Sequence, residues 1–275
     1  MTTAVITGAT HGLGRLVALD LARRGFDLGV VARSAAKVDE LRAAIGLGVT
    51  VTAFVADLSS LREVRRAADA VDAHYDRVDV LVNNAGIHAF SPRLTADGLP
   101  EMTAVNYLAP WALTNALRAK LIASSARVVT VASEASRQAR GIDPATALTT
   151  ASHYGRTKLM DIMFSQELAR RLAGTGVTSN CCDPGFNTTG LGRELPFAGV
   201  LEKVLHAVRI GDPARGASII TRLATDPAFE GVTGGYFSVR DAKPLRCPEP
   251  GRDEAVQRAL WEATEELLAR LDVAG

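Results

Sequence analysis

The chain is 275 residues long and 47% hydrophobic, which suits one large α/β domain with a full core better than two small ones. Its formal net charge of +1 supplies no field that would favour nucleic acid or an anionic membrane, so neither partner is expected. No apolar run reaches the length of about 18 residues that a membrane-spanning helix needs, and no Cys/His cluster has metal-ligand spacing.

Met1-Thr2-Thr3 passes directly into a strand candidate, Ala4–Thr7. No charged n-region or cleavage site precedes it, so neither a signal peptide nor a membrane anchor is expected. Cys181 and Cys182 are adjacent, and Cys247 makes the number odd. That pattern suits small reduced thiols in a cytoplasmic protein, not a disulfide scaffold.

The first strand runs into Thr7-Gly8-Ala9-Thr10-His11-Gly12-Leu13-Gly14, and a helix candidate spans Gly12–Arg24. Glycine permits positive φ and close approach of the backbone to a phosphate. The helix beginning near Gly12 aims free N–H groups and a partial positive charge at such an anion. The spacing is G-x-x-x-G-x-G, and its place at a strand-to-helix turn is what makes it a cofactor-binding candidate: Gly8, Thr10, His11, Gly12, Leu13 and Gly14.

The second strand, Asp27–Ala32, ends at Arg33. A site for NAD(H) wants an acidic residue there to accept from the ribose 2′-hydroxyl. Ala32 followed by a guanidinium matches a phosphate instead and predicts NADP(H) over NAD(H). The plainer alternative is that Arg33 ends a strand and faces water. A helix is expected over Ser34–Ala44, then a strand over Val49–Ala56, after which Asp57 and Leu58 lie in position to reach an adenine edge. A helix over Ser60–Tyr75 and a strand over Val78–Val82 follow. Next comes Asn83-Asn84-Ala85-Gly86, whose small residues let a cofactor lie against Asn84, Ala85 and Gly86 while its amides tie strands together.

A long helix is expected over Leu99–Ser124, carrying Asn106, then a strand over Ala126–Ala132 that ends at Ser133. Within the next helix, Ser152–Ala173, Tyr154 and Lys158 stand four residues apart and share a face. A free tyrosine, with a pKa of about 10, is a poor acid near neutrality; a neighbouring ammonium favours the phenolate and should lower that value. The tuned phenol can protonate a carbonyl oxygen as hydride reaches the carbon, or take the proton in reverse. The Ser133 hydroxyl can donate to the same oxygen, and the Asn106 amide can bridge Lys158 to solvent through water. Each residue alone has a bland reading: a strand-end cap, a helix kink, an amphipathic surface pair. All four in order on the expected elements do not.

A strand over Val177–Cys182 leads to Asp183-Pro184-Gly185. The segment Phe186–Gly216, with its glycines and prolines, breaks the rhythm above the sheet's carboxyl edge. It reads as a substrate lid, with a plain surface excursion as the alternative. Its apolar residues Phe186, Leu191, Leu195 and Phe197 suit a greasy ligand or simply pack the segment. A last strand is expected over Gly235–Val239. A helix over Asp253–Leu271 then presents an apolar stripe that packs on the domain or on a second subunit. Strands and helices alternating in this way make a parallel sheet covered on both faces, joined by right-handed crossovers into a doubly wound α/β fold.

Taken together, Thr7-Gly8-x-x-x-Gly12-x-Gly14, Asp57, Asn83-Asn84-Ala85-Gly86, Asn106, Ser133, Tyr154-x-x-x-Lys158 and Asp183-Pro184-Gly185 with Thr188 resemble the short-chain dehydrogenase/reductase family. The resemblance covers essentially the whole chain. It implies a Rossmann-type sheet of seven parallel strands and a catalytic tetrad of Asn106, Ser133, Tyr154 and Lys158. It also implies that Pro184, Gly185 and Thr188 lie near the nicotinamide amide. Within the family the chain looks most like the retinol dehydrogenase and protochlorophyllide-reductase-like branch. The carriers are the long Ser133-to-Tyr154 stretch, the segment from Glu167 to Val177, Gly234-x-Tyr236-Phe237-Ser238 and Leu260-Trp261-Glu262.

That branch favours NADP(H) and bulky apolar substrates, so the resemblance implies a single-domain NADP(H)-dependent oxidoreductase acting on a hydrophobic carbonyl or alcohol. Two departures leave the substrate open: Asp183 stands where the branch often has His, and the branch's membrane-anchoring N-terminal segment is not in this sequence. Reduction of a carbon–carbon double bond, or a non-catalytic NADP(H)-sensing or interaction protein, are the alternatives on the same fold. Family members often form dimers or tetramers through the two helices containing Asn106 and Tyr154, and the resemblance extends that arrangement here.

Overall fold

The computed structural model describes residues 2–139, 141–151, 153–185 and 212–273. Each expected strand forms: β1 (Thr3–Thr7), β2 (Asp27–Ala32), β3 (Val51–Val55), β4 (Val80–Asn83), β5 (Arg127–Val131), β6 (Thr178–Asp183) and β7 (Tyr236–Ser238). They pair in parallel in the order β3-β2-β1-β4-β5-β6-β7. The chain winds outward from β1 to β3, then crosses back to β4 beside β1. That reversal opens a crevice at the carboxyl ends of β1 and β4, where doubly wound sheets bind ligands.

The sheet has one strand more than expected. β8 (Pro244–Leu245) adds an antiparallel edge, with Tyr236 opposite Leu245 and Phe237 opposite Pro244. Pro244 lacks an N–H and is tolerated only at such an edge, which is why its segment does not read as a strand from sequence.

Helices α1 (Gly12–Arg23), α2 (Ala35–Ile45), α3 (Leu61–His74), α4 (Glu101–Thr103), α5 (Ala109–Ala116), α6 (Arg118–Ala123), α7 (Tyr154–Arg171), α8 (Pro213–Thr225) and α9 (Glu254–Val273) cover both faces. Alternation along β1 shows how the layers are built: Ala4 and Ile6 point toward α1 and α8, Val5 toward α3, α5 and α7, and all three are fully buried. Two apolar layers therefore clamp the sheet, and the central strands β1, β4 and β5 are buried on both sides as inner parallel strands must be.

The long helix expected over Leu99–Ser124 is broken into α4, a π-helical turn at Ala104–Leu108, α5 and α6. Pro110 explains the π turn. It has no N–H to donate to the Asn106 carbonyl, its partner in an α-helix. The ladder shifts by one residue, and the Ala109 N–H donates to the Ala104 carbonyl five residues back.

The stripe on α9 packs against the chain itself. Trp261 is 1% exposed. Its ring stacks on Phe164 of α7 with centroids 5.9 Å apart, lies 5.1 Å from Trp111 of α5, and carries the Arg171 guanidinium at 4.7 Å. Part of the helical surface through which the resemblance would build a dimer is thus covered by α9. Of the expected lid, residues 186–211, with Thr188, lie outside the described residues. The remainder begins α8, whose N-terminal N–H of Ala214 is capped by the Asp212 carboxylate at 2.9 Å.

Candidate active site

Four elements converge at the carboxyl edge of β4 and β5. Ser133 lies just beyond β5 and starts a 3₁₀ turn at Glu134–Gln138, its hydroxyl accepting from the Ala135 N–H at 3.2 Å. Tyr154 is the first residue of α7. Gly155 lets α7 close onto the 3₁₀ turn: a Cβ there would stand 2.4 Å from the Ala135 carbonyl oxygen. This close approach allows the Ser133 hydroxyl to hydrogen-bond the Tyr154 phenol.

Lys158 follows one turn along α7 and is buried, with its ammonium 5.7 Å from the Tyr154 ring centroid. It donates to the Val131 carbonyl and to the Asp161 carboxylate, each at 2.8 Å. Asn106 is buried in the π turn. Its amide donates to the Ile87 carbonyl at 3.0 Å and to the Thr157 hydroxyl at 2.9 Å, and its oxygen accepts from the Ile87 N–H at 2.8 Å. Asn106 thus clips the strand-end loop after β4 to α7.

The electrostatics differ from the expectation. Burial pushes the Tyr154 phenol above its ordinary value and outweighs the downward pull of Lys158. Asp161 and Asp183 push it up further, while the hydrogen bond with Ser133 opposes them. The ammonium acts in the expected direction but its own counter-charge and the dry surroundings win.

Lys158 and Asp161 move unequally. Burial pulls Lys158 down, but Asp161 and then Tyr154 lift it above its ordinary value, so it carries its charge. Burial pushes Asp161 up to about 6 against the pull of Lys158. The lysine is the firmer member, because it has two acceptors while one oxygen of Asp161 has no hydrogen bond.

The glycine run sits as the spacing implies. Gly8 and Gly12 adopt φ of +70° and +55°, open to glycine without strain. α1 has no side-chain cap and no acidic residue in its first turn, so its N-terminal dipole is not met by a carboxylate of that turn. Thr10 and Leu13 are half-buried and His11 is exposed beside them. The Asn84 amide donates to the Thr7 carbonyl at 2.9 Å, and the Thr7 hydroxyl accepts from the N–H groups of Asn84 and Ala85, each at 3.0 Å, tying β1 to β4 across the crevice. Gly86 keeps its face open: a Cβ there would lie 3.4 Å from the Asn106 oxygen and 3.6 Å from the Lys158 ammonium.

Arg33 is exposed at the end of β2, and among the described residues it forms no ion pair. Asp57 lies two residues past β3 and accepts from the Ser59 N–H at 2.9 Å. Leu58 turns its side chain into the core. Pro184 and Gly185 follow β6, Gly185 with φ of +75°. These donors and open faces fit a dinucleotide along the crevice.

Asp161, His88 and Gly155 belong to the site without being marked by any motif in the sequence. Asp161 lies three residues after Lys158, on the same helical face, and that spacing was its available signal. His88, in the loop after Gly86, carries no pattern at all. Cys181, Cys182 and Cys247 are free and buried, as the cysteine pattern implies. Among the described residues no helix is long and apolar enough to cross a membrane, and no group of His, Cys, Asp or Glu is placed to hold a metal.

A doubly wound sheet with a glycine-rich β1–α1 turn and a half-buried tyrosine beside a buried lysine at its carboxyl edge defines a Rossmann-type oxidoreductase domain. The chain belongs to the short chain dehydrogenase family, which residues 2–196 match, and within it to the retinol dehydrogenase-like branch. It is 34% identical to human retinol dehydrogenase 14, over 98% of this chain and 87% of the relative. It is 33% identical to a protein of Streptomyces sp. (strain C5) provisionally named a daunorubicin C-13 ketoreductase, over 95% of this chain and 91% of the relative. Among solved structures, a provisionally assigned NAD(P) dependent gluconate 5-dehydrogenase from Beutenbergia cavernae with bound NADP superimposes with a TM-score of 0.69. That protein is 30% identical, over 86% of this chain and 94% of its own. The family's fold binds a nicotinamide cofactor.

Proposed function

We propose that the protein is an NADP(H)-dependent reductase or dehydrogenase that interconverts a carbonyl and an alcohol on a bulky, largely apolar small molecule. The observation that carries this reading is the meeting of the Tyr154 phenol, the Ser133 hydroxyl and the Lys158 ammonium beside the glycine-lined crevice. The retinol dehydrogenase and ketoreductase names of its relatives support the carbonyl/alcohol chemistry and the apolar substrate.

In this reading Gly8, Thr10, His11, Gly12, Leu13 and Gly14 hold the pyrophosphate at the N-terminus of α1. Arg33 takes the 2′-phosphate, Asp57 and the Leu58 backbone face the adenine, and Asn84, Ala85 and Gly86 line the crevice floor. Pro184 and Gly185 lie near the nicotinamide amide. The cofactor supplies hydride when bound. Tyr154 donates a proton to the carbonyl oxygen, and its raised pKa keeps that proton available at neutral pH. Ser133 donates a hydrogen bond to the same oxygen as charge develops on it. Lys158 places positive charge beside the phenolate that donation leaves, and Asn106 holds α7 against the loop after β4.

The test is NADPH consumption, with NADH in parallel, across a panel of bulky aldehydes, ketones and quinones. Turnover with NADPH is expected, and Tyr154→Phe should lower kcat by roughly 10²–10⁴ with NADPH binding retained. A Tyr154→Phe variant with the wild-type rate would remove the proton-donor role. Tight NADPH binding with no turnover on any member of the panel would favour a sensing protein instead.

A further inference from the structure

Asp161 is a carboxylate in the wrong surroundings for a carboxylate. It is 1% exposed on the inner face of α7, among Leu159, Met160, Ile162, Met163 and Phe164, each at most 2% exposed. Its Oδ2 accepts from the Lys158 ammonium at 2.8 Å, and its Oδ1 has no hydrogen-bond partner. Burying such a pair gains little stability over an apolar side chain of similar size, because desolvation of both charges offsets their attraction. Stability therefore gives no reason for the carboxylate. Its position does: it lies one turn behind the only ammonium that faces Tyr154 among the described residues.

We propose that Asp161 is a positioning residue for the reaction: it holds the Lys158 ammonium against the Val131 carbonyl and offsets its charge, and so sets how tightly the phenol of Tyr154 keeps its proton. A bare ammonium 5.7 Å from the ring would act on the phenol as a full charge in a medium that screens poorly. Paired with Asp161 it acts as a dipole, and its pull is reduced. The site then keeps its phenol protonated, which suits donation to a carbonyl more than withdrawal from an alcohol. This meaning rests on the acid role given to Tyr154, but the test below does not.

The other titratable groups facing the pair do not compete for this role. Tyr107 from the π turn and Cys181 and Cys182 from β6 are pushed up by burial, so they stay neutral near neutral pH. Asp183, at the end of β6, acts on Tyr154 in the same direction as Asp161 but is anchored by the Glu134 N–H at 3.1 Å, not by Lys158. His88 touches the outer face of the Tyr154 ring. Of these titratable groups among the described residues, Asp161 alone is hydrogen-bonded to the lysine.

Tyrosinate absorbance, titrated on the full chain without substrate or cofactor, reads the phenol directly. Subtracting the same titration of a Tyr154→Phe background isolates this residue from Tyr75, Tyr107 and Tyr236. In Asp161→Asn the Tyr154 midpoint should fall by about one pH unit, a tenfold easier ionisation. Asp161→Ser, a second neutral replacement, should move it in the same direction. In a Lys158→Met background the Asp161→Asn shift should shrink to what the direct repulsion between carboxylate and phenolate supplies, since no ammonium remains for the carboxylate to hold and offset. Coincident midpoints, an upward shift, or a shift undiminished by the loss of Lys158 would overturn the proposal. Circular dichroism confirms that each variant is folded, and because no turnover is measured the outcome is independent of the carbonyl/alcohol reading.

Discussion

The imidazole of His88 lies on the phenol ring of Tyr154, with centroids 4.8 Å apart and planes 30° from parallel. Phe90 continues the contact, its ring 4.8 Å from that of His88. His88 follows Ile87, whose N–H and C=O are both bonded to the Asn106 amide. The imidazole is therefore mounted on Asn106 and presses on the proposed proton donor. Tyr154 begins α7 and has no preceding helical turn to fix its ring, so the stacked His88 supplies the wall that a helix interior would otherwise provide.

His88→Ala should remove that wall. An aromatic pair of this kind contributes about 0.5–1.5 kcal/mol, so kcat should fall roughly two- to tenfold while NADPH affinity stays unchanged. His88→Phe keeps a stacked ring and should restore most of the rate. Steady-state kinetics on the three proteins decide it; equal losses in His88→Ala and His88→Phe would mean that the imidazole nitrogens, not the stacking, matter.

Gly155 controls a second alignment. A methyl group there meets the Ala135 carbonyl oxygen at 2.4 Å, and backbone cannot swing aside as a flexible side chain can. Gly155→Ala should push α7 off the 3₁₀ turn, parting Tyr154 from Ser133. Overpacking of this sort costs about 1–3 kcal/mol. A lower denaturation midpoint with an unchanged m-value, together with a lower kcat, is the expected pair of results. Wild-type stability and rate would show that the two elements can separate freely.

These two residues also mark where the sequence ceases to be readable. The strands are legible because burial on both faces demands Val-rich runs, as in Val128-Val129 and Val80-Leu81-Val82. Tyr154 and Lys158 are legible because helical spacing alone puts them on one face. Gly155 is not, because its necessity comes from Ala135, twenty positions earlier in the chain and brought close only by the fold. The π turn is half legible: Pro110 signals a break, but that Asn106 sits inside the break depends on how α4 meets α5. The raised phenol is least legible, since a Tyr-x-x-x-Lys spacing carries the sign of the lysine's effect but not the burial that outweighs it.

Arg33 carries the cofactor preference in the proposed function. It stands exposed after Ala32, with no ion pair among the described residues. Charge-assisted hydrogen bonds contribute about 1.5–3 kcal/mol. Arg33→Ser should therefore raise the Kd for NADPH by roughly 10- to 100-fold while leaving that for NADH nearly unchanged. Fluorescence titration with both cofactors measures it. A parallel loss for both would place the guanidinium in general support of the crevice and remove its link to the 2′-phosphate.

Asp161 should also leave a signature in stability. Burial raises its carboxyl from an ordinary 3.8 to about 6 in the folded protein. The folded state thus binds this proton more tightly than the unfolded chain does. Its contribution is fully present below the unfolded value and is lost as pH rises through about 6. Lys158 is charged throughout this range and adds no slope of its own. Acidifying from pH 7.5 to 4.5 should therefore stabilise the wild type relative to Asp161→Asn, which has no proton to take up, by about 2 kcal/mol. Urea denaturation of both proteins at the two pH values measures the difference. Parallel curves would mean that the carboxylate titrates as it does in the unfolded chain, and a wild type that loses ground on acidification would mean that its attraction to Lys158 exceeds the cost of burial.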